Sequence, residues 1–189
     1  MTLPTLAIVS GPPGTGKTTL ARQLARTLGC PAIIRDEIKQ GIALSIPCYQ
    51  PSHDDPADYA ALEAFFGVLG ILLHAGVTVV AEAAFRDRLW KPNLEPLLTC
   101  ADLRIIRCTV DSATAIQRII KRAGSDVHRS AHADRDHLRA IAAGERSMDD
   151  FAHISLDAPA LTVDTTVGYH PGLDAIAAFI TRPADKSVR

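Results

Sequence analysis

A chain of 189 residues with 47% hydrophobic and 22% charged content is sized for one domain with its own core. Its formal net charge of −1 argues against a broad nucleic-acid-binding face. Cys30, Cys48, Cys100 and Cys108 form no CxxC pair and no zinc-like spacing, so they read as reduced, mostly buried thiols. Met1 to Thr5 lacks a basic leader, and no stretch reaches the roughly 18 apolar residues of a membrane span, so the expected compartment is the cytoplasm.

In chain order, strands and helices alternate, the pattern of a parallel sheet covered on both faces. Leu6 to Val9 is a short continuous apolar run, as a buried parallel strand requires. Gly16 to Leu28 reads as a helix, with Leu20, Leu24 and Leu28 on one face and Gly29 as its stop. Ala32 to Ile34 is a second strand, and residues 46–57, with three prolines, are a loop. Asp58 to His74 is helical and Val77 to Ala81 is a β-branched strand. Asp87 to Cys100 is a helix opened near Pro92 and Pro96. Leu103 to Val110 is a fourth strand. Asp111 caps a helix to about Ala123. A polar segment over 124–136 looks mobile, and a helix from about Asp134 to Ser147 follows it. Leu161 to Val163 is a fifth strand, Pro171 to Thr181 a closing helix, and residues 183–189 a loose tail on a single domain spanning 1–182.

Gly11-Pro12-Pro13-Gly14-Thr15-Gly16-Lys17-Thr18 matches G-x-x-x-x-G-K-[ST], after a strand and opening a helix. Glycines let successive amides turn inward around phosphate oxygens, and the helix N-terminus adds its dipole. Lys17 would neutralise the β and γ phosphates and the Thr18 hydroxyl would ligate Mg²⁺, so the expected cofactors are ATP and Mg²⁺. Thr19 completes the loop's contacts.

Acids close the other strands: Asp36, Glu82, Asp111 and Asp164. Ligands of open α/β sheets sit at such strand ends. Glu82 after Val77 to Ala81 reads as a magnesium-holding Walker B acid, or as a solvated strand end. Asp36 is either the general base for an attacking hydroxyl or the N-cap of a helix over 37–44. Glu37 is the weaker base candidate. Asp111 reads as a cap, and Asp164 as ordering a loop where Thr165 and Thr166 border an adenine.

Arg118 and Arg122 share a helix face, with Arg129 and Arg135 in the polar segment beyond. Phosphoryl transfer needs positive charge over the transferring group and a closing lid, so Arg118, Arg122 and Arg129 are candidates; a solvated helix face is the alternative. Arg86 and Arg88 either contact the phosphoryl acceptor or solvate a helix start. His128, His132 and His137 do not have zinc spacing. Phe65 and Phe66 belong to the core.

With these residues in place the chain resembles the small P-loop kinases of the nucleoside monophosphate kinase-like group. More narrowly it resembles the AAA-domain-33 type, similar to chloramphenicol phosphotransferase, zeta-toxin kinases and polynucleotide kinase domains. The matching segments are Ile8 to Leu20, Ile33 to Ile38, Val79 to Phe85 and the helix over 111–123. The resemblance implies a three-layer α/β fold with a five-stranded parallel sheet in the order 2-3-1-4-5 and a lid near 118–136. It also implies ATP-dependent phosphorylation of a hydroxyl on a small molecule or polynucleotide end, with Asp36 as base. That family often has Asp at the position of Glu82 and Thr at that of Ala84.

A remodelling ATPase would need a further helical domain, and a GTPase an [NT]KxD motif, which is absent. A regulatory or toxin-system nucleotide-binding module is the remaining different class. The expected partners are ATP and a small hydroxyl-bearing substrate, without nucleic acid or membrane, in a monomer or homodimer.

Overall fold

The computed structural model describes residues 3–52, 54–121, 151 and 154–183 in full, and the backbone alone of 122 and 123. The elements are β1 (Thr5–Ser10), α1 (Lys17–Leu28), β2 (Ala32–Ile34), α2 (Arg35–Leu44), α3 (Pro56–His74), β3 (Val79–Glu82) and α4 (Asp87–Leu94), which runs into a 3₁₀ turn at Glu95–Thr99. They continue with β4 (Asp102–Thr109), α5 (Ser112–Ala123), β5 (Ala160–Asp164) and α6 (Leu173–Thr181). The five strands form one parallel sheet in the order β2-β3-β1-β4-β5.

The unbroken apolar run of β1 has a direct cause. Leu6 and Ile8 enter one core with Phe65, Leu69, Trp90 and Leu94 from α3 and α4. Ala7 and Val9 enter another, with Leu20 and Leu24 of α1 and Ile176 and Ile180 of α6. A strand covered on both faces needs apolar residues at every position. The result is the expected three-layer fold.

Several boundaries differ from the sequence reading. β3 starts two residues late because the Val77 amide bonds back to Leu72 O at the end of α3. The helix predicted over 87–100 splits at Glu95, next to Pro96, which has no amide hydrogen for the helical ladder. α3 starts earlier: Asp55 is its N-cap, accepting from the Ala57 amide at 3.0 Å, and Pro56 takes the first helical position. Asp36 is not an N-cap, because α2 begins at Arg35 and Asp36 sits inside its first turn.

α3 also corrects the reading that no segment is long and apolar enough for a membrane span, since by length and composition it is. Its Phe65, Leu69 and Leu73 are buried against the sheet, so much of its apolar surface serves the core. The four cysteines are free, as expected, but only Cys108 is fully buried and Cys48 is exposed. The predicted helix over 134–147, Arg135 and the three histidines at 128, 132 and 137 lie outside the described residues, as does the tail from 184.

Candidate active site

Strand register brings the site together. Val9 of β1 and Ile34 of β2 both pair with Glu82 of β3. The loop after β1, the acid closing β3 and the first turn of α2 therefore leave the same sheet edge side by side.

Residues 11–18 join β1 to α1. Gly11 and Gly14 have φ of +141° and +84°, and a Cβ on them would come within 2.3 Å of Cys108 O and 2.7 Å of Ala115 O. Only glycine fits there, because the loop is pressed against the end of β4 and against α5. Pro12 O gathers the loop's internal bonds. It accepts from the Thr15 hydroxyl at 2.8 Å and from Lys17 Nζ at 2.9 Å. Thr15 is fully buried, so its side chain braces the loop while its backbone belongs to the cradle. Pro13 and Gly16 complete the turn into α1, with Gly16 at its N-cap position.

Thr18 and Glu82 are brought together: the Thr18 hydroxyl donates to Glu82 Oε2 at 2.8 Å. Glu82 is 4% exposed. Burial pushes its carboxyl above the usual carboxylate range; the Lys17 charge opposes this and the charges of Asp36 and Glu37 add to it. A buried acid crowded by two others and faced by a hydroxyl is a hard-oxygen site short of positive charge. That donor set fits Mg²⁺, which is held by one or two protein oxygens plus substrate phosphates. Among the described residues no group of three or more His, Cys, Asp or Glu is placed to hold a metal ion.

On one side of this centre lies a cavity of about 380 Å³ lined by Gly14, Gly16, Thr19, Arg118, Thr165, Gly168 and Tyr169. Arg118 of α5 closes it, donating to Thr165 O at 2.8 Å, Thr166 O at 3.1 Å and Gly14 O at 3.4 Å. Thr165, directly after β5, donates its hydroxyl to Thr15 O at 2.7 Å. Asp164 orders this loop as predicted: bonds from Thr166 hold its carboxyl below the usual range. Asp111 is the expected cap of α5, accepting from the Thr114 amide at 2.8 Å.

On the other side is a cavity of about 440 Å³ lined by Arg35, Asp36, Asp58, Tyr59, Leu62, Ala84, Phe85, Arg86, Arg88, Leu89 and Phe151. Arg35 lies over the Phe85 ring and holds Asp36 at 3.4 Å and Asp58 more closely. Lys39, 5% exposed, bridges Asp55 at 3.0 Å and Asp58 at 2.9 Å. The Tyr49 hydroxyl donates to Asp55, and burial together with that contact pushes the phenol up. Behind the wall, Phe65, Phe66, Phe85 and Trp90 form a cluster in which Phe66 stacks on Phe85 and the other pairs meet edge-to-face, and the Trp90 indole donates to Ser10, the residue before the glycine loop.

The sequence reading named Asp36, Arg86 and Arg88 here but missed Asp58, Lys39, Asp55 and Tyr49. One signal was available: Asp55-Pro56 is a cap followed by a first-turn proline, which moves the helix start back and leaves Asp58 as a first-turn acid. Arg122 falls on α5 with its side chain outside the described residues, and Arg129 lies outside them altogether, as does the expected lid beyond α5.

A parallel sheet in this order, a glycine loop feeding a helix and an acid closing the neighbouring strand define a P-loop nucleotide-binding protein of the kinase-like type. The chain belongs to the AAA domain family AAA_33, whose model matches residues 6–146. No curated protein matches the sequence. Among solved structures, a candidate kinase from Chloroflexus aurantiacus is similar at 26% identity and a TM-score of 0.77, covering 94% of this chain and 97% of that one. A gluconokinase from Sinorhizobium meliloti shares the fold at 16% identity and a TM-score of 0.56, covering 96% and 94%. An APS kinase from Mycobacterium tuberculosis, in complex with AMPPNP and APS, shares it at 14% identity and 0.59, covering 94% and 95%.

Proposed function

We propose that this protein is an ATP-dependent phosphotransferase that moves the γ-phosphoryl group to a hydroxyl of a small molecule. The observation that carries the reading is the placement of two cavities, one beside the glycine loop and one at Asp36, on either side of the Thr18–Glu82 pair at one sheet edge. A donor and an acceptor pocket meeting at a metal-type centre suit group transfer better than a simple nucleotide switch. The gluconokinase and APS kinase that share the fold are small-molecule kinases by their names, which supports the same class here.

The roles follow from chemistry. The backbone N–H groups of residues 14–18 and the Lys17 ammonium hold the polyphosphate, Lys17 leaving Pro12 O to do so. Arg118, Thr165 and Tyr169 form the wall for the base. Thr18 and Glu82 would hold Mg²⁺, whose chemistry there is to neutralise phosphate charge. Asp36 accepts the proton of the attacking hydroxyl. Arg122 and Arg129 supply charge over the transferring group.

The test is acceptor-stimulated ADP release by wild type and by Asp36→Asn, with ATP binding measured separately. The reading expects the variant to bind ATP and lose stimulation by about a hundredfold or more. A protein that binds ATP but responds to no hydroxyl compound is a regulatory module; one that responds only to 5′-hydroxyl polynucleotide ends is a polynucleotide kinase.

A further inference from the structure

Asp58 stands in the wall of the Asp36 cavity, and the described residues bind only one of its two carboxylate oxygens. Arg35 Nη2 and Lys39 Nζ both bind Oδ1, the latter at 2.9 Å. Oδ2 has no partner among the described residues, and the side chain is 43% exposed. Arg35 therefore holds two acids on its two terminal nitrogens: Asp36 on Nη1 and Asp58 on Nη2. Both line the same cavity.

We infer that Asp58 is a specificity residue whose free oxygen accepts a hydrogen bond from a second hydroxyl of the acceptor, so that the substrate is a polyol with neighbouring hydroxyl groups. This rests on the kinase reading above. An ionised carboxylate only accepts hydrogen bonds, so its partner on the substrate is a donor. Pinning by two cations fixes its direction before substrate arrives, which reduces the ordering cost of the contact. The donor is a hydroxyl rather than an ammonium group, because three guanidiniums, Arg35, Arg86 and Arg88, line the cavity against two carboxylates. A neutral or acidic polyol suits that balance and an amino sugar does not. With one hydroxyl at Asp36 and its neighbour at Asp58, the pair would orient the attacking oxygen as well as select the substrate.

The experiment uses the full chain and matched acceptors: glycerate against 3-hydroxypropanoate, gluconate against its monodeoxy counterparts, ribitol against 1-pentanol, and glucose against glucosamine. Acceptor-stimulated ADP release is measured for wild type and for Asp58→Asn. In wild type, removing the neighbouring hydroxyl from the best acceptor is expected to lower kcat/KM by about tenfold, since a charge-assisted hydrogen bond to the half-buried, pre-oriented carboxylate is then lost. In Asp58→Asn the polyol loses a similar factor, while the deoxy compound loses little more, so the two losses do not multiply. The wild-type comparison needs no variant, which covers the case of Asp58→Asn failing to fold. Full activity on monohydroxy acceptors, a preference for glucosamine, or losses that multiply would overturn the assignment of Asp58 while leaving the kinase intact. Bound ATP with silence across every hydroxyl compound would overturn both.

Discussion

Along one edge of the sheet two cavities are built from different material. The proposed nucleotide side is mostly main chain: the glycine loop of residues 11–18, two of its glycines pressed against Cys108 and Ala115, and carbonyls tied by Arg118. The proposed acceptor side is side chain: Arg35, Asp36, Lys39, Asp55 and Asp58 in one ionic chain, with aromatic rings behind. A backbone cradle depends on shape and tolerates little change. An ionic wall depends on charge balance, so exchanging residues within it changes which acceptor fits. One end is thus suited to a constant ligand and the other to a variable one.

The largest effect that would break this contrast is at Lys17. Lys17→Ala should cut ATP turnover by about 10³-fold, measured as ADP release, because one cation is lost from the phosphates. Near-normal turnover would mean that the loop does not hold them. Gly11→Ala comes next. Its Cβ would meet Cys108 O at 2.3 Å, so the loop must shift; a stability loss above about 2 kcal/mol is expected by denaturant titration. Gly16→Ala sharpens the point, since a Cβ there meets nothing within 4 Å and only the φ of +74° is strained, for about 1 kcal/mol.

On the acceptor side, Lys39→Met strands Asp55, which is 2% exposed, and should cost about 3 kcal/mol in the same titration. The pH dependence has a definite sign. Burial pushes the Asp55 carboxyl up, but bonds from Tyr49 and Lys39 outweigh it and hold it below its ordinary 3.8. The folded state thus binds fewer protons, and this contribution is present above about pH 4 and lost as pH falls through the lower folded value. The gap between wild type and Asp55→Asn should therefore narrow in acid, seen in melting curves from pH 7 down to pH 3. The smallest effect is expected at Arg22→Ala: its pair with Glu37 is about half exposed on both sides, so stability should move by less than about 0.5 kcal/mol.

The same contrast explains what the sequence made legible. The glycine loop is contiguous, so one motif with its flanking strand and helix located it, and the helix period placed Arg118 on α5, whose packing against the loop only the structure shows. That Glu82 lies at the loop's edge of the sheet was legible from the acid closing its hydrophobic run, while its register with Val9 and Ile34 came only from the structure. The acceptor wall was not legible, because Asp58, Lys39 and Tyr49 meet only when α2 and α3 pack together. Nothing local separates Lys39 from a solvated helix lysine. Asp36 kept a second reading as a cap because the helix after β2 starts without a loop, at Arg35, which no turn residue announces.

The account stands most directly on where the γ-phosphate goes. With ATP labelled at that group, Mg²⁺ and a polyol acceptor, the label should appear covalently on the acceptor with wild type and be absent from it with Lys17→Ala. Label that stays on ATP, or emerges only as free phosphate whatever hydroxyl compound is supplied, would contradict it.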